Sequence, residues 1–339
     1  MNFFDILSEI ENLDPELSAR IDSRRSVFKH MSGLGQKLSA AALPLAVGAV
    51  FNKAYAQTPT GLGVVEVLNF ALRLEYLESL FYQQRTTLTG LSAINSAALT
   101  QIATDEANHV SFLRTVITSL NGTPVAAPTA ATFDFTAGKG SGSGPLSGYN
   151  TNVNTYLALA QSFEDLGVRA YKGAAPLTAV MANKAVLTAA LNIHSIEARH
   201  ASQIRAMRRA LATSSSTLPS QGTPASPFNV APKSWVSGTD NGGAFASGGA
   251  ISTAPIYGAG NDNGGATYGA NGGIGPAAGV IFAAENNVAQ GGIPLSTATS
   301  PDFATFPASA FSEAFDEGLD VTTVSTIARL FVVSGSTFF

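Results

Sequence analysis

The stretch Leu99-Thr100-Gln101-Ile102-Ala103-Thr104-Asp105-Glu106-Ala107-Asn108-His109-Val110-Ser111-Phe112-Leu113 decides how this chain is read. Leu99, Ile102 and Leu113 recur at helical steps, and Val116 and Leu120 continue the stripe, so the segment reads as an amphipathic helix. Glu106 and His109 lie inside the apolar stripe. Residues i and i+3 on a helix sit one turn apart on the same side, so both side chains can reach one ion. A lone ionised glutamate in such a stripe costs several kcal/mol unless it is paired, protonated or neutralised by a cation.

The pattern returns at Glu197-Ala198-Arg199-His200, within a stripe of Val186, Ile193, Ile196, Ile204 and Met207. Two further segments carry single glutamates in the same way. Leu68, Leu72, Glu75, Ser79 and Tyr82 share one face, as do Leu157, Ala160, Glu164, Val168 and Tyr171. The four helices are expected over about Gly63–Arg85, Ala93–Leu120, Asn152–Lys172 and Leu177–Leu211, with Asn121-Gly122 and Gly173 as stop signals. Short connections join the first to the second and the third to the fourth. About 30 residues of mostly Gly, Ser, Pro and Thr separate the second from the third. Two hairpins and one long crossover make a four-helix bundle with an all-α core. The halves repeat: Glu75 and Tyr82 are seven residues apart, and so are Glu164 and Tyr171, which implies pseudo-twofold symmetry.

One glutamate from each of two helices and Glu-x-x-His from each of the other two supply six candidate ligands: Glu75, Glu106, His109, Glu164, Glu197 and His200. Six such groups suit two metal ions bridged by carboxylates, and oxygen and imidazole donors without thiolate suit Fe or Mn. The competing reading pairs the carboxylates with Arg73, Arg169 or Arg199. Glu78 is either a spare ligand or, by preference, a partly solvated flank residue. Tyr82 and Tyr171 either hydrogen-bond the ligands or relay an electron, or are core aromatics with satisfied hydroxyls, the last being preferred. His194, six residues before His200 and about 240° around the helix, is expected at the surface or behind the ligands. Asp105 could orient a histidine but is read first as a solvated helix position, and His30 as irrelevant to the site.

Residues 62–211 resemble the ferritin-like superfamily, in particular the secreted bacterial ferritin-like domain proteins related to plant desiccation-related proteins. The likeness is carried by Leu68-Asn69-Phe70-Ala71-Leu72-Arg73-Leu74-Glu75-Tyr76-Leu77-Glu78, by the two Glu-x-x-His motifs and by Ala314-Phe315-Asp316-Glu317. The resemblance implies a ferritin-like bundle able to hold two metals, without one settled activity.

Composition frames the rest. The 339 residues include no cysteine, which excludes disulfides, thiolate zinc sites, iron–sulfur clusters and cysteine nucleophiles. A net charge of -4 argues against nucleic acid as a partner. Beyond residue 210 only Lys233 and Arg329 are basic, and 19 of the 33 glycines fall there. That part reads as a loop-rich extension, anchored by Phe228, Trp235, Phe245, Tyr257, Tyr268 and Phe282, with a short helix over Val321–Phe331 behind an Asp320 cap. At the other end, Ser23-Arg24-Arg25-Ser26-Val27-Phe28-Lys29, an apolar run from Leu38 to Phe51 and Ala54-Tyr55-Ala56 form a twin-arginine-type export signal. The apolar run is too short and broken for a stable transmembrane span. The expected organisation is a leader over 1–57, the bundle over 58–212 and the extension over 213–339. The protein is therefore expected outside the cytoplasm, periplasmic or extracellular, with metal ions and dioxygen or peroxide as partners. A homo-oligomer or a surface partner would engage the extension. Two functions follow: a di-iron or di-manganese oxidoreductase, ferroxidase- or catalase-like, or a non-enzymatic structural or assembly protein built on the bundle.

Overall fold

The computed structural model describes residues 62–213, 232–245, 251–260, 281–290, 293–294 and 307–339. The leader, its arginine pair, Phe228 and Tyr268 lie outside the described residues. Four long helices form the core: α1 (Leu62–Gln83), α2 (Ala93–Ser119), α3 (Val153–Ala174) and α4 (Lys184–Thr213). Ser92 starts α2 by accepting from the Asn95 amide, and Asn152 starts α3 by accepting from the Thr155 amide, so both begin where a polar cap precedes the apolar stripe.

The fourth expected helix is two pieces. A single turn over Thr178–Met181 precedes α4. The break falls at Asn183, whose side-chain oxygen accepts from the Val186 amide at 2.9 Å. That internal N-cap competes with continuous helix, which periodicity alone does not register.

Contact is heaviest between α1 and α2 and between α3 and α4, which are the two hairpins; they meet through α1 against α3 and α2 against α4. The crossover spans the bundle. Its far end returns to the top of α1, where Thr87 Oγ1 donates to the Asn150 carbonyl. Phe133, Phe135, Leu146 and Tyr149 of the crossover are buried in the same core as Phe81, whose ring lies 5.4 Å from that of Phe135 and 6.2 Å from that of Tyr149.

The extension packs on the outer face of α3 and α4. Phe245, Tyr257 and Phe282 are buried as anchors, whereas Trp235 is 52% exposed and holds Glu313 through its indole N–H. A last helix, α5 (Val321–Ala328), is capped by Asp320, which accepts from the Thr323 amide, and runs into a 3₁₀ turn over Arg329–Phe331. Phe331 packs on Phe163 of α3, and Val332 pairs with Phe133 of the crossover. Where the extension crosses the end of α3, a Cβ on Gly173 or on Gly318 would enter the other strand of backbone, so both positions need glycine. As a result α3 is buried on every side, without interruption from Thr155 to Tyr171. No described helix is long and apolar enough to cross a membrane.

Candidate metal centre

The four long helices bring their in-stripe glutamates to one level. Glu75, Glu106, Glu164 and Glu197 are each 0% exposed, and His109 and His200 are buried beside them. The six residues form two overlapping groups: Glu75, Glu106, His109 and Glu197, and Glu106, Glu164, Glu197 and His200. In each group one ligand atom per residue lies within 4.8 Å of the others. Glu106 and Glu197, the glutamates of the two Glu-x-x-His motifs, belong to both groups. Glu75 with His109 and Glu164 with His200 complete the two ends. The imidazole centroids are 6.4 Å apart.

The polar atoms converge without satisfying one another. Glu106 Oε1 and Oε2, Glu164 Oε2, Glu197 Oε1 and Oε2 and His200 Nδ1 are buried with no hydrogen-bond partner. His200 Nδ1 lies 2.9 Å from Glu106 Oε1 and 3.3 Å from Glu164 Oε2, close in distance but without hydrogen-bond geometry. His109 Nδ1 is 3.2, 3.4 and 3.6 Å from oxygens of Glu75, Glu106 and Glu197. Buried polar groups in folded proteins are almost always hydrogen-bonded. Six orphaned donor-set atoms aimed at one small volume, all carboxylate oxygen or imidazole nitrogen, fit cations bound between them.

Without a cation the cluster is held by protons. Burial and the neighbouring Glu75 push Glu106 up to about 7. Burial and the surrounding carboxylates, Glu106 first among them, push Glu197 well above the usual range. Burial pushes Glu75 up too, but His109 outweighs it and holds Glu75 low. Burial works against charging the histidines. Even so, Glu75 and Glu106 raise His109 to about 11, and Glu164 and Glu106 raise His200 to about 12.

The arrangement around the six corrects several expectations. Tyr82 of α1 donates its hydroxyl to Glu164 Oε1 of α3, and Tyr171 of α3 donates to Glu75 Oε1 of α1. The tyrosines are buried core aromatics, and their hydroxyls are satisfied by the candidate ligands themselves. The swap across the pseudo-twofold axis locks α1 to α3. Asp105 is not simply solvated: its Oδ2 lies 3.2 Å from His200 Nε2, and Gln101 donates to its Oδ1. Such a contact fixes which imidazole nitrogen faces inward. The equivalent residue on α4 is Ile196, so His109 lacks this support. His194 stands apart, half-buried, 3.0 Å from the Val168 carbonyl. The arginines are elsewhere: Arg169 turns to the extension, Arg73 donates to the Asn69 carbonyl, and Arg199 is exposed.

Glu78 is not on a solvated flank. It is 3% exposed, and burial, followed by the charges of Glu197 and Glu106, pushes its carboxyl well up. Its counterpart in the second half is Gly167, 89 residues on, the same offset that relates Glu75 to Glu164. A Cβ at Gly167 would run into Glu197 Oε2, lie 3.1 Å from Glu197 Cδ and 3.4 Å from Glu78 Oε1. A fifth carboxylate on α1 is thus accommodated by a glycine on α3. The repeat offset carried that signal, but it shows only when position 78 is set against position 167.

The fold and this cluster define a ferritin-like helical bundle, compatible with a two-metal site. Residues 63–210 match the ferritin-like domain family, a span that contains all but the ends of the four long helices and stops short of the extension. No curated protein and no solved structure matches the chain.

Proposed function

We propose that the bundle holds two iron or manganese ions on Glu75, Glu106, His109, Glu164, Glu197 and His200, and that the protein is an oxidoreductase acting on dioxygen or hydrogen peroxide. The convergence of six orphaned buried ligand atoms carries this reading. When bound, such a pair of ions supplies the electrons for reducing an oxygen species. The chain supplies the setting. Glu106 and Glu197, common to both ligand groups, would serve both ions, Tyr82 and Tyr171 hold Glu164 and Glu75 in orientation, and Asp105 keeps the His200 Nδ1 lone pair inward. Complete burial of the four in-stripe glutamates keeps bulk water off the centre. The Ser23–Lys29 leader motif supports export in a folded, loaded state, and with it kinship to the secreted bacterial and plant desiccation-related proteins.

The deciding measurement is metal content of protein purified from its native compartment, beside Glu106→Ala and His200→Ala. Two Fe or Mn per chain in the wild type and loss in both variants is the expected result. A metal-free wild type, equally stable, ends the proposal. Loaded protein with no oxygen or peroxide turnover supports instead a structural or assembly protein that keeps metals for stability. Fractionation of cells expressing the chain with Arg24→Lys and Arg25→Lys tests export, since both changes together are expected to retain the protein in the cytoplasm.

A further inference from the structure

A partly open pocket lies on the far side of α3 and α4 from the metal ligands, between these helices and the extension. Its volume is about 150 Å³, the size of an engineered protein cavity that takes up benzene, a molecule of six heavy atoms. Two arginines line it, Arg169 and Arg205, which at first sight suggests an anion site. Their donors are already committed. Arg205 donates to both oxygens of Asp165, at 3.0 and 2.5 Å, and to both oxygens of Asp240, at 3.0 Å each. Arg169 donates to the carbonyls of Glu317, Ile256, Gly258, Ala283 and Gly318. A guanidinium has five N–H groups, so a carboxylate or phosphate entering the space finds no free guanidinium donor.

The unmet group has the opposite sign. Glu285 lines the cavity and is 2% exposed. Its Oε1 lies 2.8 Å from Arg169 Nε and accepts from the Glu317 amide at 2.9 Å, while its Oε2 is buried without a partner. Burial pushes Glu285 up to about 7, so above that pH the charged lining side chains, Asp165, Glu285 and Asp316 against Arg169 and Arg205, leave one net negative charge. Val168 and Ala201 add an apolar wall, and Trp235 lines the space with its ring half open to solvent. That ring already attracts one cation, with Lys233 Nζ 5.9 Å from its centroid.

We propose that this pocket binds a small organic ammonium ion, a protonated primary amine of about six heavy atoms, with its N–H groups on the Glu285 carboxylate, which turns its unpartnered oxygen to the ligand. The carboxylate oxygen supplies the missing acceptor, the aromatic ring the second attraction for positive charge, and the apolar wall a surface for methylene groups. The site is independent of the metals.

Trp235 is the only tryptophan in the chain, so its fluorescence reads the site directly. The full-length protein is titrated at about pH 8, where Glu285 is ionised and the amine still protonated, at constant ionic strength with n-butylammonium, and with 1-butanol and butyrate as the neutral and anionic molecules of matching shape. The expected result is a saturable change with n-butylammonium, half-complete on the order of 1 mM, and at least about tenfold weaker responses to the other two. Glu285→Gln is expected to weaken n-butylammonium by about tenfold or more. Because Glu285 also anchors Arg169, Ser202→Leu serves as a second variant. It fills the space from α4, leaves the Glu285 side chain itself unchanged, and is expected to abolish the response while circular dichroism stays that of the wild type. Equal binding of 1-butanol, preferential binding of butyrate, or no saturable response in the wild type overturns the proposal, the last meaning that the cavity holds only water.

Discussion

Replacing Gly167 with alanine is expected to separate folding from metal binding. In a helix interior, glycine is about 1 kcal/mol less favourable than alanine, so the change by itself favours α3. The cost falls on the centre. The new methyl would occupy the place of Glu197 Oε2 and stand 3.1 Å from Glu197 Cδ. Restoring ordinary contact moves that carboxylate by on the order of 1 Å, against the ~0.2 Å within which metal–ligand distances must hold. Glu197 belongs to both ligand groups, so both ions lose a donor. A loss of about 30-fold in affinity is the expected scale for disturbing such a ligand. At free Mn²⁺ a hundredfold above the wild-type dissociation constant, the wild type gains about 2.7 kcal/mol of stability, and the variant under about 1. Thermal unfolding with EDTA and with Mn²⁺ reads both quantities. The wild type is expected to rise by roughly 5–10 °C on loading and the variant by at most a few degrees, with the metal-free variant melting no lower than the metal-free wild type. A variant that loads as tightly as the wild type would refute the placement of Glu197 among the ligands.

Asp105→Asn keeps shape but removes the charge facing His200 Nε2, and one of the two ions is expected to bind about 10- to 100-fold more weakly, seen as a split titration against a competing chelator. The metal-free protein is expected to lose stability as pH rises, the reverse of ordinary acid lability. Glu106 and Glu285, each pushed up to about 7 mainly by burial, keep their protons in the folded state between 4.5 and 7 when the unfolded chain has lost them. His109 and His200, raised to about 11 and 12, extend the decline from 6.5 upward. Calorimetry of EDTA-treated protein from pH 5 to 9 checks the sign, and a flat or rising melting temperature contradicts it. Arg169→Leu leaves the Arg169–Glu285 pair broken and five extension carbonyls unmet, at a cost of about 3–5 kcal/mol. Limited proteolysis is expected to cut first within residues 254–319.

The bundle was legible because its signals are local. Leu99, Ile102 and Leu113 set the phase of α2, and Glu106 and His109 break the polarity rule within that phase. The same local evidence misjudged Glu78, whose position three residues past Glu75 already put it on the inner face. What hid its burial was the missing side chain at Gly167, on another helix. Asp105 was misread for a similar reason. It points away from its own stripe, toward His200 on α4, and a single helix gives no sign of a neighbour there. Asp165, Arg169 and Arg205 occupy outward positions that belong in water on any helical wheel. Their burial comes from Asp240, Tyr257, Glu285 and the Glu317–Gly318 backbone, 35 to 149 residues away. Non-local pairing of this kind leaves no periodicity to read.

The uninterrupted burial of α3 also sets a timetable. As the chain is made from its N-terminus, the hairpin of α1 and α2 can close early, and α3 can meet α4 as soon as residue 213 is out. At that point the outer side of α3 still carries Arg169 without its partners, and Phe163, already against Phe81 and Phe135, lacks its contact with Phe331. Those partners are Ile256, Glu285 and Glu317 for Arg169 and Phe331 for Phe163, the last 168 residues further along the chain. The helix that carries Glu164 and Tyr171 therefore reaches its final surroundings only after a further 160 residues, from Tyr171 to Phe331, have been made. A ribosome paused anywhere before residue 331 holds a bundle with an open flank.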